Sequence, residues 1–173
     1  MRYVIVGCGR VGSQLALRLS LEGHGVSIVD RDAEAFAKLG PSFRGQRIEG
    51  VGFDRDVLIS AGIERADGFA SVTSGDNTNV VSARIARHIF RVPRVIARIY
   101  DPRRAGIYRR LGIQTISPTE WAAGRIAEAL CRPDLEVAQS LGNGEVNIVT
   151  FRVSEEVAGH QLVDLVMPGE STV

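Results

Sequence analysis

The stretch Gly7-Cys8-Gly9-Arg10-Val11-Gly12 follows a short apolar run, Tyr3-Val4-Ile5-Val6, and leads into an amphipathic segment that begins at Val11. In a strand–turn–helix of this kind, the first glycine permits a tight turn, the second lets a pyrophosphate approach the main chain, and the third lets the helix pack on the sheet. N–H groups at the helix start face the anion, and the helix dipole favours its charge. The residues predicted to form this phosphate-binding turn are Gly7, Cys8, Gly9, Arg10, Val11 and Gly12.

An acidic residue ends the second predicted strand. Val26-Ser27-Ile28-Val29 is followed by Asp30, at about the spacing after the glycine motif where an acid hydrogen-bonds the ribose of adenosine. The alternative is that Asp30 only ends the strand and caps the next helix. Arg31 could stack on an adenine or meet a 2′-phosphate. Because Asp30 would repel that phosphate, a ligand without it is favoured.

Composition limits the classes of partner. The chain has 173 residues, enough for one full α/β domain and a smaller fragment. Lys+Arg 21 against Asp+Glu 20 gives a net charge of +1, so no overall field favours nucleic acid or an anionic membrane. We expect no nucleic-acid partner. The sequence shows no leader at Met1 and no apolar run long enough to span a bilayer, which predicts a soluble, cytoplasmic protein. Its two cysteines, Cys8 and Cys131, suit a reducing compartment.

Strands and helices alternate over the first 132 residues. Strands are predicted at residues 3–6, 26–29, 46–49, 68–72, 95–99 and 114–116, with helices between them. Asp32 and Asp54 are predicted helix caps. This alternation predicts an α/β fold, a Rossmann-like, doubly wound, parallel six-stranded sheet with the ligand at the switch point of the strand order.

Further candidate binding residues follow the third, fourth and fifth strands, where an open parallel sheet receives ligands. A polar cluster at residues 73–79 is also expected to cap the next helix. Arg98 can reach a phosphate or, alternatively, pair with Asp101. The candidates at this edge are Gly52, Phe53, Thr73, Asn77 and Arg98.

Two later helices carry further signals. The helix after the fourth strand places Val81, Ile85 and Ile89 on one face, and its basic residues Arg84, Arg87, His88 and Arg91 form a solvated face or a subunit contact. Ser117-Pro118-Thr119-Glu120 predicts a capping box with proline at the first helical position. Trp121 is expected in the core or at an interface.

The pattern changes at residues 132–134. Residues 133–173 are expected to be a linker and the truncated start of a small C-terminal lobe. Within them we predict a turn at 142–144, an alternating strand at 146–153, and a short helix from Gly159 that ends at 167–169.

The order of these motifs resembles the regulator-of-potassium-conductance (RCK/KTN) domain, specifically the nucleotide-binding domain of the regulatory subunit of Trk- and Ktr-type potassium uptake systems. The likeness covers about residues 1–132 and weakly the start of that family's C-terminal lobe. It rests on the glycine motif, Asp30, Gly50-Val51-Gly52-Phe53-Asp54, Val57-Leu58, Ala61-Gly62-Ile63, Ala66-Asp67-Gly68, Val72-Thr73, Asp76, Asn77, Asn79, Ala97-Arg98, Asp101-Pro102 and Gly112.

The resemblance implies a regulatory subunit that docks on the cytosolic face of a membrane potassium channel or transporter. NAD(H) or ATP/ADP would bind and shift a conformational equilibrium, and NADP is disfavoured. Arg10 matches the family's phosphate-side arginine, Asp30 its ribose acid, and Arg98 its second cationic contact. Val51 stands where the family usually has an acid, so contacts to the adenine edge there are expected from the main chain.

An enzyme is the less favoured class. No second domain large enough to carry a substrate follows residue 132, and His24, His88 and His160 lack metal-ligand spacing. The sequence also lacks a nucleophile elbow and a Walker lysine. The alternatives are an NAD-dependent oxidoreductase, or a fragment of one, and an S-adenosylmethionine site. We expect a homo-oligomer, a dimer or a higher ring, because paired domains can transmit a hinge motion.

Overall fold

The computed structural model describes residues 1–110, 112–131, 135–141, 146–151 and 159. The chain divides into two compact units, Met1–Ala122 and Ala123–Val173. The domain boundary expected at residue 132 stays a prediction.

The first unit is built on one parallel sheet. Its strands are β1 (Arg2–Val6), β2 (Gly25–Asp30), β3 (Gln46–Glu49), β4 (Gly68–Ser71), β5 (Arg94–Arg98) and β6 (Gln114–Ile116). They lie in the order β3-β2-β1-β4-β5-β6, and every pairing is parallel. This confirms the predicted doubly wound, six-stranded sheet.

Helices connect the strands. The α-helices are α1 (Arg10–Leu21), α2 (Arg55–Ser60), α3 (Asp76–Arg84), α4 (Pro102–Arg110) and α5 (Pro118–Cys131). Ala33–Leu39 and Ile63–Arg65 are 3-10 helices, and a π-helical turn, Ile85–Ile89, continues α3. Among the described helices, none combines the length and the apolar character needed to cross a membrane.

The sheet winds in opposite directions on the two sides of β1. Val6, the last residue of β1, is in register with Val29 of β2 and with Ser71 of β4. The connections that leave β1 and β4 therefore diverge, and a crevice opens between the carboxyl ends of these two strands.

Alternate residues of the central strands pack on opposite faces of the sheet. Val4 and Val6 belong to one buried cluster, together with Val29, whereas Ile5 and Ile28 belong to another. All five side chains are almost fully buried. A strand that is buried on both faces places its carboxyl end, and whatever follows it, in a fixed position.

The face of α3 that carries its large apolar residues is not its buried face. Val81 and Ile89 are exposed, and Ile85 is partly buried. The buried residues of this helix and its π-helical turn are Asn79, Val80, Ser82, Ala83 and Ala86. Small side chains let the helix approach the sheet closely, so the contact face is not the face with the largest apolar residues.

Two of the predicted caps form, and two do not. The Asp32 carboxylate accepts from the Glu34 N–H, and the Asp54 carboxylate accepts from the Asp56 and Val57 N–H groups. The cap residue of α3 is Gly75, which belongs to the predicted cluster at 73–79, but no side chain of that cluster caps this helix end.

The capping box predicted at the start of α5 also does not form. Pro118 occupies the first helical position as expected, but the buried Ser117 hydroxyl oxygen has no hydrogen-bond partner among the described residues. Trp121 in this helix is 53% exposed, which excludes it from the core of the described structure.

The second unit contains a strand that the sequence analysis missed. Residues expected to form a linker make up β7 (Leu135–Leu141), which pairs antiparallel with β8 (Val146–Phe151). The strand predicted at 146–153 is confirmed as far as Phe151. The predicted turn at 142–144 and helix from residue 159, with its end at 167–169, lie outside the described residues, apart from a single turn residue, Gly159.

Candidate functional site

Close main-chain packing shapes the glycine turn. Gly7 has a φ of 102° and donates a 2.8 Å hydrogen bond to the Val29 carbonyl. A Cβ on Gly7 would lie 2.8 Å from the Thr73 nitrogen, and one on Gly12 would lie 1.8 Å from the Gly7 carbonyl oxygen. Side chains at these two positions would therefore force the turn apart.

Space is left open around Gly9, the middle glycine of the motif. Gly9 is the N-terminal cap residue of α1. Among the described residues, no side chain caps this helix end, and no atom lies within 4 Å of the position that a Cβ would occupy. Arg10 and Val11, which follow it, are exposed. The start of α1 is thus accessible at the crevice, where its N–H groups can donate hydrogen bonds to an anion.

Asp30 lies beside this turn, at the end of β2. Its Oδ2 accepts a 2.5 Å hydrogen bond from the Cys8 N–H, and its Oδ1 accepts one of 3.1 Å from the Asp32 N–H. The next helix is capped by Asp32, so the alternative role of Asp30 as that cap is excluded. A carboxylate offers about four lone-pair sites, so acceptor capacity remains for two hydroxyl groups. Arg31 follows at an exposed position.

The Cys8 side chain faces the core. Its sulfur is fully buried and donates to the Ala35 carbonyl at 3.3 Å. Burial raises the pKa of the thiol, and the negative charge of Asp30 raises it further. At neutral pH, Cys8 therefore contributes a main-chain N–H to the site and a neutral thiol to the core.

The loop after β3 closes one side of the site. The Gly50 N–H donates to the Asp30 carbonyl, which fastens this loop to the end of β2. Gly52 is buried, and a Cβ there would lie 2.0 Å from Cγ1 of Val6. Val51 and Phe53 on either side are 43% and 45% exposed, so this loop presents apolar side chains at its surface.

The opposite side of the crevice is organised by a residue that the sequence analysis did not select as a site residue. Asn79 is completely buried, and its Oδ1 accepts from the Ser71 hydroxyl, the Thr73 N–H and the Thr73 hydroxyl. Its Nδ2 donates to the carbonyls of Thr73 and Arg98. The sequence did contain a signal for this role: Asn79 is a polar residue in the first turn of a helix that directly follows a strand.

The side chain of Arg98 also contacts Thr73. Nη2 donates a 2.8 Å hydrogen bond to the Thr73 carbonyl, and the guanidinium lies 4.7 Å from the centre of the Tyr100 ring. Its buried Nε has no partner in the part of the chain that the structure describes. The predicted alternative, a pair with Asp101, does not form.

Asp101 pairs instead with Arg103. The Arg103 Nε donates to the Asp101 carboxylate at 3.1 Å, and this hydrogen bond lowers the pKa of that carboxyl. Arg98 thus keeps unused donors beside Thr73.

Two further polar residues of α3 hold the segment after β5. The Asp76 carboxylate accepts from the N–H groups of Tyr100 and Asp101, at 2.8 and 3.1 Å. The side-chain oxygen of Asn77 accepts from the Arg104 guanidinium at 2.6 Å. The structure therefore places the Asn77 side chain against α4 and not with Thr73 at the turn, and its predicted binding role stays a prediction.

The site combines an open helix start, a carboxylate on one side and a guanidinium on the other. Such an arrangement suits a ligand with an anionic centre and a hydroxyl-bearing end. The described residues contain no group of three or more His, Cys, Asp or Glu that could hold a metal ion.

Residues 3–118 match the family model of the TrkA-N domain. The Trk system potassium uptake protein TrkA of Streptomyces coelicolor is 47% identical to this chain over 162 residues, which cover 94% of this chain and 73% of that protein.

Solved structures share the fold. The AMP-bound Kef CTD of Shewanella denitrificans has a TM-score of 0.64 and 23% identity, and the match covers 76% of this chain and 82% of that one. GsuK bound to ADP has a TM-score of 0.64 and 23% identity over 75% of this chain and 33% of its own. The GsuK channel bound to NAD has a TM-score of 0.60 and 20% identity over 72% of this chain and 22% of its own.

Proposed function

The chain belongs to the TrkA-N domain family, and from that membership we propose that it is a nucleotide-binding regulatory subunit of a potassium uptake system. The relative from Streptomyces coelicolor carries the name of a Trk system potassium uptake protein. In this proposal the chain acts at the inner face of the plasma membrane through a membrane-embedded potassium channel or transporter, and it has no catalytic residue.

The proposed ligand is an adenine nucleotide, NAD(H) or ATP/ADP. The observation that carries this proposal is the open start of α1 at Gly9, next to the Asp30 carboxylate. Structural neighbours of this chain are bound to AMP, ADP and NAD. NADP is disfavoured because Asp30 would repel its 2′-phosphate.

Each side of the crevice has its own proposed task. Main-chain N–H groups of the turn from Gly7 to Gly12 bind the phosphates, with Arg10 close by, and Asp30 binds the ribose. We assign Gly52, Phe53 and Arg31 to the adenosine side, and Thr73 and Arg98 to the far side of the phosphates. Asn77 would join them only by releasing its contact with Arg104.

Regulation requires that the nucleotide bind two conformations unequally, because a ligand with equal affinity for both shifts nothing. We propose that two or more copies of the domain assemble and convert this difference into a hinge motion against the membrane partner. The proposed contact surfaces are the exposed faces of α3 with its π-helical turn, of α4 and of α5, which carry Val81, Ile89, Ile107 and Trp121.

Calorimetric titration with NAD, NADH, ATP, ADP and NADP tests the proposal, together with nicotinamide absorbance in the presence of candidate substrates. Binding of an adenine nucleotide without turnover is the expected result. Turnover of a nicotinamide cofactor would favour the oxidoreductase alternative, and absence of all binding would overturn the nucleotide site. Sedimentation that shows only monomer at high concentration would contradict the assembly.

A further inference from the structure

Among the described residues near the crevice, the buried polar side chain with the most hydrogen bonds is that of Asn79. It lies in the first turn of α3, has no exposed surface, and makes five hydrogen bonds of 2.7 to 3.0 Å. None of the five lies within α3. They join α3 to residues at the carboxyl ends of β4 and β5, which border the proposed nucleotide site.

The partners of Asn79 are the residues that shape the far side of the phosphate turn. Three of the five bonds go to Thr73, at its N–H, its hydroxyl and its carbonyl. The main chain of Thr73 in turn lies so close to Gly7 that a Cβ on Gly7 would be 2.8 Å from the Thr73 nitrogen. Thr73 therefore packs directly against the phosphate turn at Gly7.

The same amide also fixes the base of the Arg98 side chain. Asn79 Nδ2 donates to the Arg98 carbonyl at 2.9 Å, while Arg98 Nη2 donates to the Thr73 carbonyl at 2.8 Å. Residue Arg98 is thus held at its main chain by Asn79 and at its guanidinium by Thr73, which Asn79 also holds. The bond to Thr73 uses one N–H of the guanidinium, so other N–H groups of its Nη atoms remain as donors for an anion.

We propose that Asn79 is a positioning residue for the phosphate end of the ligand: it holds Thr73 and Arg98 in the geometry that binds a nucleoside diphosphate. This inference rests on the proposed nucleotide-binding function. Asn79 is buried behind Thr73 and acts through that residue and Arg98. Its influence is therefore confined to the phosphates, whereas the adenosine part depends on Asp30 across the crevice.

The test compares two ligands that differ only in their phosphates. Affinities for ADP and, by competition, for adenosine are measured in the wild type and in Asn79→Ser, a smaller and uncharged variant. We expect ADP to bind about tenfold more weakly to Asn79→Ser and adenosine to bind within about twofold of the wild type. Loss of folded protein alone would reduce both apparent affinities equally, so the ratio of the two reports positioning.

Ser71→Ala is the matched control, because it removes one donor to Asn79 and leaves the bonds to Thr73 and Arg98 in place. We expect it to keep the wild-type ratio. A double-mutant cycle with Arg98→Ala shows whether the effect passes through the guanidinium. In the Arg98→Ala background, Asn79→Ser should weaken ADP binding much less than it does in the wild type.

An unchanged ratio of affinities in Asn79→Ser would overturn the inference, as would an Arg98→Ala variant with wild-type affinity for ADP. A variant that is unfolded at 25 °C, as judged by its urea unfolding curve, would assign Asn79 to the core alone and would also overturn it. Wild-type protein that binds no adenine nucleotide would overturn the proposed function itself, which separates that failure from the other two.

Discussion

The Cys8 N–H donates a 2.5 Å hydrogen bond to the Asp30 carboxylate, which joins the phosphate turn to the end of the neighbouring strand. One carboxylate thus shapes the turn and, in the proposed function, binds the ribose. Substitutions at Asp30 should separate these two tasks, because asparagine keeps an acceptor oxygen and alanine keeps none.

We expect Asp30→Asn to stay folded and to narrow the preference for NAD over NADP by about tenfold, because the charge that repels a 2′-phosphate is gone. Calorimetric titration with both dinucleotides measures this preference. An undiminished preference would show that another group excludes the 2′-phosphate.

Unlike Asp30→Asn, the variant Asp30→Ala leaves the Cys8 N–H without an acceptor. We expect it to lower the free energy of unfolding by about 1–3 kcal/mol. Urea unfolding of the two variants and the wild type gives this value. Equal stability of Asp30→Ala and Asp30→Asn would contradict a structural role for the bond.

The two glycines Gly9 and Gly12 form a matched pair. An added methyl group at Gly12 would lie 1.8 Å from the Gly7 carbonyl oxygen, whereas one at Gly9 would meet no atom of the described residues within 4 Å. We expect Gly12→Ala to be strongly destabilised. Gly9→Ala should unfold within a few degrees of the wild type yet bind nucleotide about tenfold more weakly, because its methyl group enters the space for the phosphates. Thermal unfolding and ADP titration of both variants check this, and full nucleotide affinity in Gly9→Ala would move the ligand away from the turn.

The Asp76 carboxylate fastens the segment after β5 by accepting from the Tyr100 and Asp101 N–H groups. Asp76→Ala should lower the free energy of unfolding by about 1–3 kcal/mol, because two main-chain donors lose their acceptor. Arg103→Ala is the control: it removes only the exposed pair with the Asp101 carboxylate and keeps the bond from the main-chain N–H of residue 103, so it should have little effect on stability. Urea unfolding compares the two, and similar losses in both variants would contradict the assignment.

The raised pKa of the Cys8 thiol predicts a loss of stability in alkali. The unfolded chain releases this proton near the ordinary value of 9.0, and the folded chain releases it at a higher pH. The folded state therefore binds more protons above about pH 9, so the stabilisation present below that pH declines as the pH rises. Cys8→Ala should make the free energy of unfolding fall less steeply between about pH 8 and 10.5 than in the wild type, whereas Cys131→Ala, at an exposed position, should not. Identical slopes in all three proteins would refute this.

Local sequence patterns were sufficient to predict the sheet and part of the candidate site. Strands β3 and β6 have the predicted bounds, and Asp32 and Asp54 cap helices as expected. These features depend on short-range chemistry: apolar runs, glycine breaks and side chains that reach the next two or three N–H groups. The approach of Asp30 to the turn was also predictable, because adjacent parallel strands end at the same edge.

Features that depend on the neighbours of an element could not be predicted in the same way. The contact face of α3 consists of Asn79 and small residues, which a search for large apolar side chains overlooks. Asn79 differs from Asn77 only in its position relative to two distant strands, so composition could not show which one is buried. By contrast, the spacing of Leu135, Val137 and Leu141 is compatible with a strand, and this signal for β7 was available.

The contact between Thr73 and Gly7 also dictates an order of assembly. The glycine motif is synthesised early, yet its turn is buttressed by a segment that follows β4, roughly sixty residues later, and long-range pairing of this kind forms slowly. A nascent chain or a proteolytic fragment that ends before β4 carries the whole glycine motif but lacks Thr73, against which Gly7 packs. Nucleotide would therefore not act as a template for early folding. It would engage the completed domain and, by mass action, protect it from unfolding.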